Sequence, residues 1–419
     1  MNKIFLSIIL FIIYTTVYAV DSITPLNLKK LKNQAASGEV TAELALGNLY
    51  FFGKRINKDI YTAFQWYYSA ALKGNGPAQF NVALCYDQGL GVETNKLEAL
   101  IWYQKAAKSG VIQAKFNLAI YYKTGELFST DTGKVRLKKN IVKSINLLKE
   151  ISNAGFAPAQ RELSKLYFAG TEIKQDHNKA ILLLEKAAYS KDAEAMYLLA
   201  KEYLQSNKPD MKKIIPLLNF ASDSSVPEAQ ETLGSLYECG KGLPRNKQKA
   251  LSLYKNAASK GLVTAQLRLG DCFSNSGSKY FDIQKAKQWY NAAAKQDSYY
   301  AIFLLGTYAD QGIGEKVNKK IAARNFIKAA NGNYPKAQYN LGNFYANGFG
   351  VEKDINMAFY WYKKAALQNE PKAQYEVGIY YLKGISVDKN YSLALTWLTA
   401  SEKNGNSDAA NFLKKIKLN

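Results

Sequence analysis

One pattern returns along almost the whole of this 419-residue chain at a step of 36. An alanine opens each copy: Ala42, Ala78, Ala114, Ala159, Ala195, Ala229, Ala265, Ala301, Ala337, Ala373 and Ala409. All steps are 36 residues except one of 45 and one of 34. In the copy that starts at Ala337, small and apolar residues recur at helical spacing in two runs, 337–346 and 356–367, joined by a glycine-rich turn. Eleven residues after most alanines stands Gly53, Gly89, Gly125, Gly170, Gly240, Gly312, Gly348 or Gly384, where a left-handed residue ends a helix. All five tryptophans, Trp66, Trp102, Trp289, Trp361 and Trp397, fall 24 residues after an alanine, which makes them filler between helices. A helix pair of this size cannot bury its apolar face alone, so the copies must stack. The expected fold is all-α, a right-handed α-solenoid of helix-turn-helix repeats.

Ten repeats are expected, at 42–77, 78–113, 114–158, 159–194, 195–228, 229–264, 265–300, 301–336, 337–372 and 373–408. Residues 20–41 read as a lead with a half-repeat cap helix, and 409–419 as the C-terminal half-repeat cap, made polar by Lys414, Lys415 and Lys417. The third copy carries an insertion between Gly125 and Asn140, either a binding element or a solvated excursion. The fifth copy is short and places Pro216 inside its second helix, where a kink is expected. Copies three to five are expected to form a bend between two regular arms. The seventh has an irregular turn, Asn275 to Phe281.

At the N-terminus Lys3 precedes an apolar run from Ile4 to Tyr14, and Val17 and Ala19 stand where a signal peptidase reads. The run is too short to span a bilayer, so a secretory signal peptide, residues 1–19, is expected, cleaved after Ala19. The expected address is periplasmic or secreted. Cys85, Cys239 and Cys272 are too few for a disulfide framework, and buried small-hydrophobe roles are favoured over one bridge and a free thiol. The 56 basic and 34 acidic residues give +22, one unit less without Lys3, which favours an acidic partner. Lysines spread over most repeats, in an exported chain, argue against nucleic acid.

The pattern A-x-x-x-L-G-x-x-Y-x-x-G-x-G-V followed by K-A-x-x-W-Y-x-K-A-A resembles the Sel1-like repeat family, related to tetratricopeptide arrays. Leu341, Gly342, Tyr345, Gly348, Gly350, Val351, Ala358, Trp361, Tyr362, Lys364, Ala365 and Ala366 carry the match in one copy. The resemblance covers essentially the whole chain after residue 19. It implies an adaptor that assembles complexes, in exported bacterial members often in envelope or host interactions.

In helical repeats the first helices usually line the groove, and positions three and six after the alanine should face it. These are Asn48, Asn81, Asn117, Glu162, Arg268, Asp271, Asn340, Asn343 and Glu376, a polar ladder suited to a peptide backbone or, alternatively, to bonds with neighbouring turns. The aromatics two residues after the alanine, Phe80, Phe116, Tyr197, Phe303, Tyr339 and Tyr375, either border that groove or, the favoured reading, pack between repeats. The expected partner is a protein or peptide bound along the groove, with no cofactor and no metal.

Enzyme readings find little support. The single histidine, His177, removes most histidine-based mechanisms. Some cysteine-rich relatives are linked to β-lactam hydrolysis, and Ser252, Ser276 and Ser386 each begin an S-x-x-K, while Lys123-Thr124-Gly125 matches K-T-G. No S-D-N accompanies them, and the cysteine-rich pattern is missing. A non-catalytic scaffold is expected, with an envelope hydrolase or a binder of acidic polymer or anionic membrane as the alternatives.

Overall fold

An aspartate or asparagine opens the second helix of each helix pair, because its side chain accepts a backbone N–H that the first turn leaves unpaired. Asp59 accepts from Thr62 N, Asn95 from Leu97 and Glu98 N, Asn246 from Lys249 N and Asp354 from Asn356 and Met357 N. The cap residue's own N–H closes the turn behind it, Asp354 N donating to Tyr345 O at 2.9 Å. First helices end differently. Gly348 takes φ 74° and donates to Phe344 O, and the other seven expected C-terminal glycines are left-handed too.

The computed structural model describes residues 25–53, 56–125, 127–130, 133–136 and 139–417, in two compact units that divide at 207/208. The expected signal peptide, 1–19, lies outside the described residues. The N-terminal unit runs α1 (Pro25–Ala36), α2 (Val40–Phe52), α3 (Ile60–Leu72), α4 (Gly76–Gln88), α5 (Lys96–Lys108), α6 (Ile112–Thr124), β1 (Leu127–Thr130), β2 (Gly133–Arg136), α7 (Ile141–Asn153), α8 (Ala157–Ala169), α9 (His177–Tyr189) and α10 (Ala193–Leu204). The C-terminal unit runs α11 (Met211–Asp223), α12 (Pro227–Cys239), α13 (Lys247–Ser259), α14 (Val263–Ser274), α15 (Ile283–Ala294), α16 (Tyr299–Gln311), α17 (Lys319–Asn331), α18 (Pro335–Asn347), α19 (Ile355–Leu367), α20 (Pro371–Lys383), α21 (Tyr391–Lys403) and α22 (Ser407–Lys417). Each unit is a stack of helix pairs, an α-solenoid architecture.

All eleven leading alanines are buried, none above 3% exposed, so the position tolerates nothing larger. Trp102 and Trp361 are buried in the core, while Trp66, Trp289 and Trp397 are half-buried. Phe80 and Phe116 are wholly enclosed, and Phe303 packs on Phe326 and Tyr334, so these aromatics serve packing between helices.

Two details depart from expectation. The insertion folds in part into an antiparallel hairpin, Leu127 opposite Arg136 and Thr130 opposite Gly133. Pro216 lies within α11, as expected, exposed in its second turn, where water can satisfy the carbonyl it leaves free. The cysteines are all free thiols. Cys85 is buried and Cys272 half-buried, as small hydrophobes, but Cys239 is exposed at the end of α12.

Candidate functional site

The polar ladder divides between the units. In the N-terminal unit its members are buried. Asn48 accepts from the Tyr67 hydroxyl at 2.8 Å, Asn81 is 9% exposed, and Asn117 is enclosed beside the Tyr103 hydroxyl. Glu162 is buried in ion pairs with Lys165 (2.7 Å) and Lys123 (3.3 Å). Burial corrects the expectation that these four face an open groove: Tyr67 bonds Asn48, Asn117 is enclosed with Tyr103 of the preceding repeat, and Glu162 is held between Lys165 of its own helix and Lys123 of the preceding repeat.

In the C-terminal unit the ladder opens to solvent. Arg268 is exposed and pairs with Glu231 at 3.3 Å. Asp271 accepts from the Tyr290 hydroxyl and Asn343 from the Tyr362 hydroxyl, each at 2.7 Å; Asp271 is exposed and Asn343 half-buried. Asn340 and Glu376 are half-buried. Burial pushes the Glu376 carboxyl above its ordinary range, against the pull of Lys383, and among the described residues it has no hydrogen-bond or ion-pair partner. Burial also raises the Asp271 carboxyl, opposed by the Tyr290 hydrogen bond and Arg268.

Arg268 and Asp271 share a recess of about 210 Å³ with Glu238, Tyr254, Cys272 and Tyr280. The seventh repeat lacks the glycine turn, and its irregular turn supplies Asn275, Ser278 and Tyr280 to the lining. The helix α14 ends in an extended Asn275, whose side chain accepts from Gly277 N, and Tyr280 is brought to the rim. Tyr254 donates to Glu238 at 2.8 Å. Burial pushes the Cys272 thiol up to about 11, with Glu238 and Asp271 adding to it, so it is a poor nucleophile at neutral pH. The recess offers hydrogen-bond acceptors and one guanidinium. The three S-x-x-K serines do not converge on it: Ser252 is exposed on α13, Ser276 sits in the turn after α14, and Ser386 follows α20 and donates to Asn356. His177 is exposed at the start of α9 and stacks edge-on against Phe168.

Two features escaped sequence reasoning. A buried glutamine follows the leading alanine in several repeats. Gln79, Gln160, Gln230, Gln266, Gln338 and Gln374 each donate to a carbonyl in the last turn of the preceding helix, which also accepts a backbone N–H from the turn that follows, so the amide adds a second bond that ties the next helix to that turn. The recurring A-Q pair was the available signal. The second feature is a partition of charge. Second helices α11, α13, α15, α17, α19 and α21 hold fourteen basic and two acidic residues, whereas first helices α12, α14, α16, α18, α20 and α22 hold seven of each. In the N-terminal unit the corresponding counts are ten and three, with α1 taken as a second helix, and five and five.

A family model described as Sel1 repeat matches residues 40–75, 76–111, 157–192, 193–213, 227–262, 263–298, 300–334, 335–370 and 371–406. Among solved structures, a protective antigen present in uropathogenic Escherichia coli strains, displaying an SLR fold, superposes with TM-score 0.52 at 27% identity, covering 93% of this chain and 90% of that one. Chitin synthase regulatory factor 3 of Schizosaccharomyces pombe is 29% identical over 151 residues, 34% of this chain and 16% of that protein. A chitin synthase regulator of Saccharomyces cerevisiae is 30% identical over 120 residues, 27% of this chain and 17% of that protein. The chain thus spans less than a fifth of the length of these two curated relatives. Sel1-repeat proteins generally act as protein–protein interaction scaffolds, typically without catalytic activity. From its repeats, its capping pattern and this match, the chain belongs to the Sel1 repeat family.

Proposed function

We propose that this protein is an exported, non-catalytic scaffold that holds a partner polypeptide along the first-helix face of its C-terminal unit. The observation that carries the reading is Glu376, a carboxylate kept half-buried without a hydrogen-bond or ion-pair partner among the described residues, at a desolvation cost that the pull of Lys383 offsets only in part. Asn340 and Asn343 one repeat earlier, and Arg268 and Asp271 two repeats before that, present further polar groups on the same set of helices. First helices carry no net charge, so a partner on this face is recognised by hydrogen bonds and local charge. The expected attraction for acidic partners belongs to the second helices instead. Export rests on the N-terminal pattern around Lys3 and Ala19, and the envelope or the host surface is where such a scaffold would work.

The test places a photo-crosslinking residue at position 340 or 376, and as a control at position 360 on the second helix α19. The reading expects one discrete polypeptide captured from 340 and 376 and weakened by Arg268→Ala. Equal capture from position 360, or none from the first-helix positions, would sink it.

A further inference from the structure

The second helices of the C-terminal unit form a cationic face with a regular layout. Lys320, Arg324 and Lys328 on α17 stand one helical turn apart, and one repeat later the same positions on α19 are Asn356, Tyr360 and Lys364. All six are exposed. Apolar side chains stand open to solvent on the same second helices and on the next one, α21: Tyr360 is 46% exposed, Leu367 66% and Tyr391 55%, with Ile321 and Leu393 at 39%. The Lys364 ammonium lies 4.9 Å from the centre of the Tyr360 ring, so cation and ring make one mixed surface.

Charge and apolarity together select the occupant. A soluble polyanion neutralises the lysines and leaves Tyr360 and Leu367 in water. An anionic bilayer accepts both kinds of group, its headgroups meeting the cations while tyrosine and leucine enter the headgroup boundary. We propose that the second-helix face of the C-terminal unit, centred on Lys320, Arg324, Tyr360, Lys363, Lys364 and Leu367, docks peripherally on an anionic lipid surface and leaves the first-helix face free. No helix of the described residues is long and apolar enough to cross a membrane, so attachment through this face is by surface contact. The proposal uses a different set of helices from the scaffold reading, and either can fail alone.

Flotation of the full chain with vesicles of phosphatidylcholine, and with vesicles of equimolar phosphatidylcholine and phosphatidylglycerol, reads the docking. Binding is expected to the anionic vesicles only, falling steeply with added salt. The pair Lys320→Glu and Lys363→Glu should weaken it about tenfold, since each residue contributes at the surface. The pair Lys336→Glu and Lys372→Glu makes the same change in net charge at exposed positions on the first helices α18 and α20, and should leave it nearly unchanged. Replacing Tyr360 and Leu367 by serine should weaken vesicle binding but not binding to soluble polyphosphate. Circular dichroism checks that each variant keeps its helices. Equal loss in the two charge-reversed pairs would reduce the effect to net charge and overturn the proposal. So would indifference to the Tyr360 and Leu367 changes, which would assign the face to a soluble polyanion, or failure to bind anionic vesicles at all.

Discussion

A Cβ atom on Gly342 would stand 2.5 Å from Cδ1 and Cε1 of Tyr362, so the tyrosine ring occupies the space that any other side chain would need. The same relation joins Gly47 to Tyr67, Gly234 to Tyr254, Gly270 to Tyr290 and Gly306 to Phe326, and in the last full repeat Leu398 takes the ring's place over Gly378. The ring then reaches one residue past the glycine: Tyr362 donates to Asn343, Tyr67 to Asn48 and Tyr290 to Asp271. Glycine, ring and acceptor make one unit that locks the two helices of a repeat together.

Gly342→Ala should therefore destabilise the protein by about 1–3 kcal/mol, the usual cost of forcing atoms into a packed interface. In a Tyr362→Ala background the same change should cost less, because the obstructing side chain is gone. Urea denaturation of the four members of this cycle measures the coupling. Strictly additive effects would show that ring and glycine are not in contact.

The period made the fold legible. Alanine, glycine and the helix-ending glycines recur because each has one tolerable size or backbone angle at its place. The site was less legible because spacing gives a residue's side of its own helix and not what the neighbouring repeat lays over it. Asn48 and Asn343 occupy the same position and bind the equivalent tyrosine, yet one is buried and the other half-buried. The hairpin at 127–136 follows no repeat rule, and Pro216 is tolerated because it lies on the solvent side of its helix. The glutamines were visible as A-Q but went unread, since a buried amide has meaning only once the carbonyl above it is seen.

Those glutamines differ in a testable way. Gln338 donates to Ala330 O, and its Oε1 accepts from Gln368 at 2.8 Å, whereas the Oε1 of Gln230 is buried with no partner among the described residues. Gln338→Leu should cost about 1–2 kcal/mol, because it removes together the bonds to Ala330 O, Asn333 and Gln368. Gln230→Leu should cost less, because the orphaned oxygen leaves with the side chain. Denaturation midpoints decide, and a larger loss at Gln230 would contradict this account of the joint between repeats.

The residue between one repeat's second helix and the next first helix is left-handed. Gly261 fills the position in one repeat, but Lys191 (φ 60°) and Asp297 (φ 57°) fill it in others. Replacing either by glycine should raise stability by about 0.5–1 kcal/mol, through relief of the Cβ contact. Asn333→Gly should not, because the Asn333 side chain accepts from both Gln338 and Gln368 at 3.1 Å. Thermal unfolding of the three variants tests the contrast, and a gain at position 333 equal to that at 191 would refute it.

Glu376 connects stability to function through pH. Burial raises its folded pKa above the unfolded value, so the charged form is penalised only in the folded state. That penalty is fully present above the folded pKa, fades as pH falls through it, and vanishes below the ordinary glutamate range. Glu376→Gln should thus stabilise the protein at neutral pH, on the order of 0.5 kcal/mol because water screens part of the cost, and should make no difference in acid. The same substitution should weaken capture of the partner from position 340, since the carboxylate is retained at the expense of stability. Unfolding curves at neutral and acid pH, run beside the crosslinking assay, separate the outcomes. A variant stabilised at neutral pH that still captures its partner fully would leave Glu376 without a role at the interface.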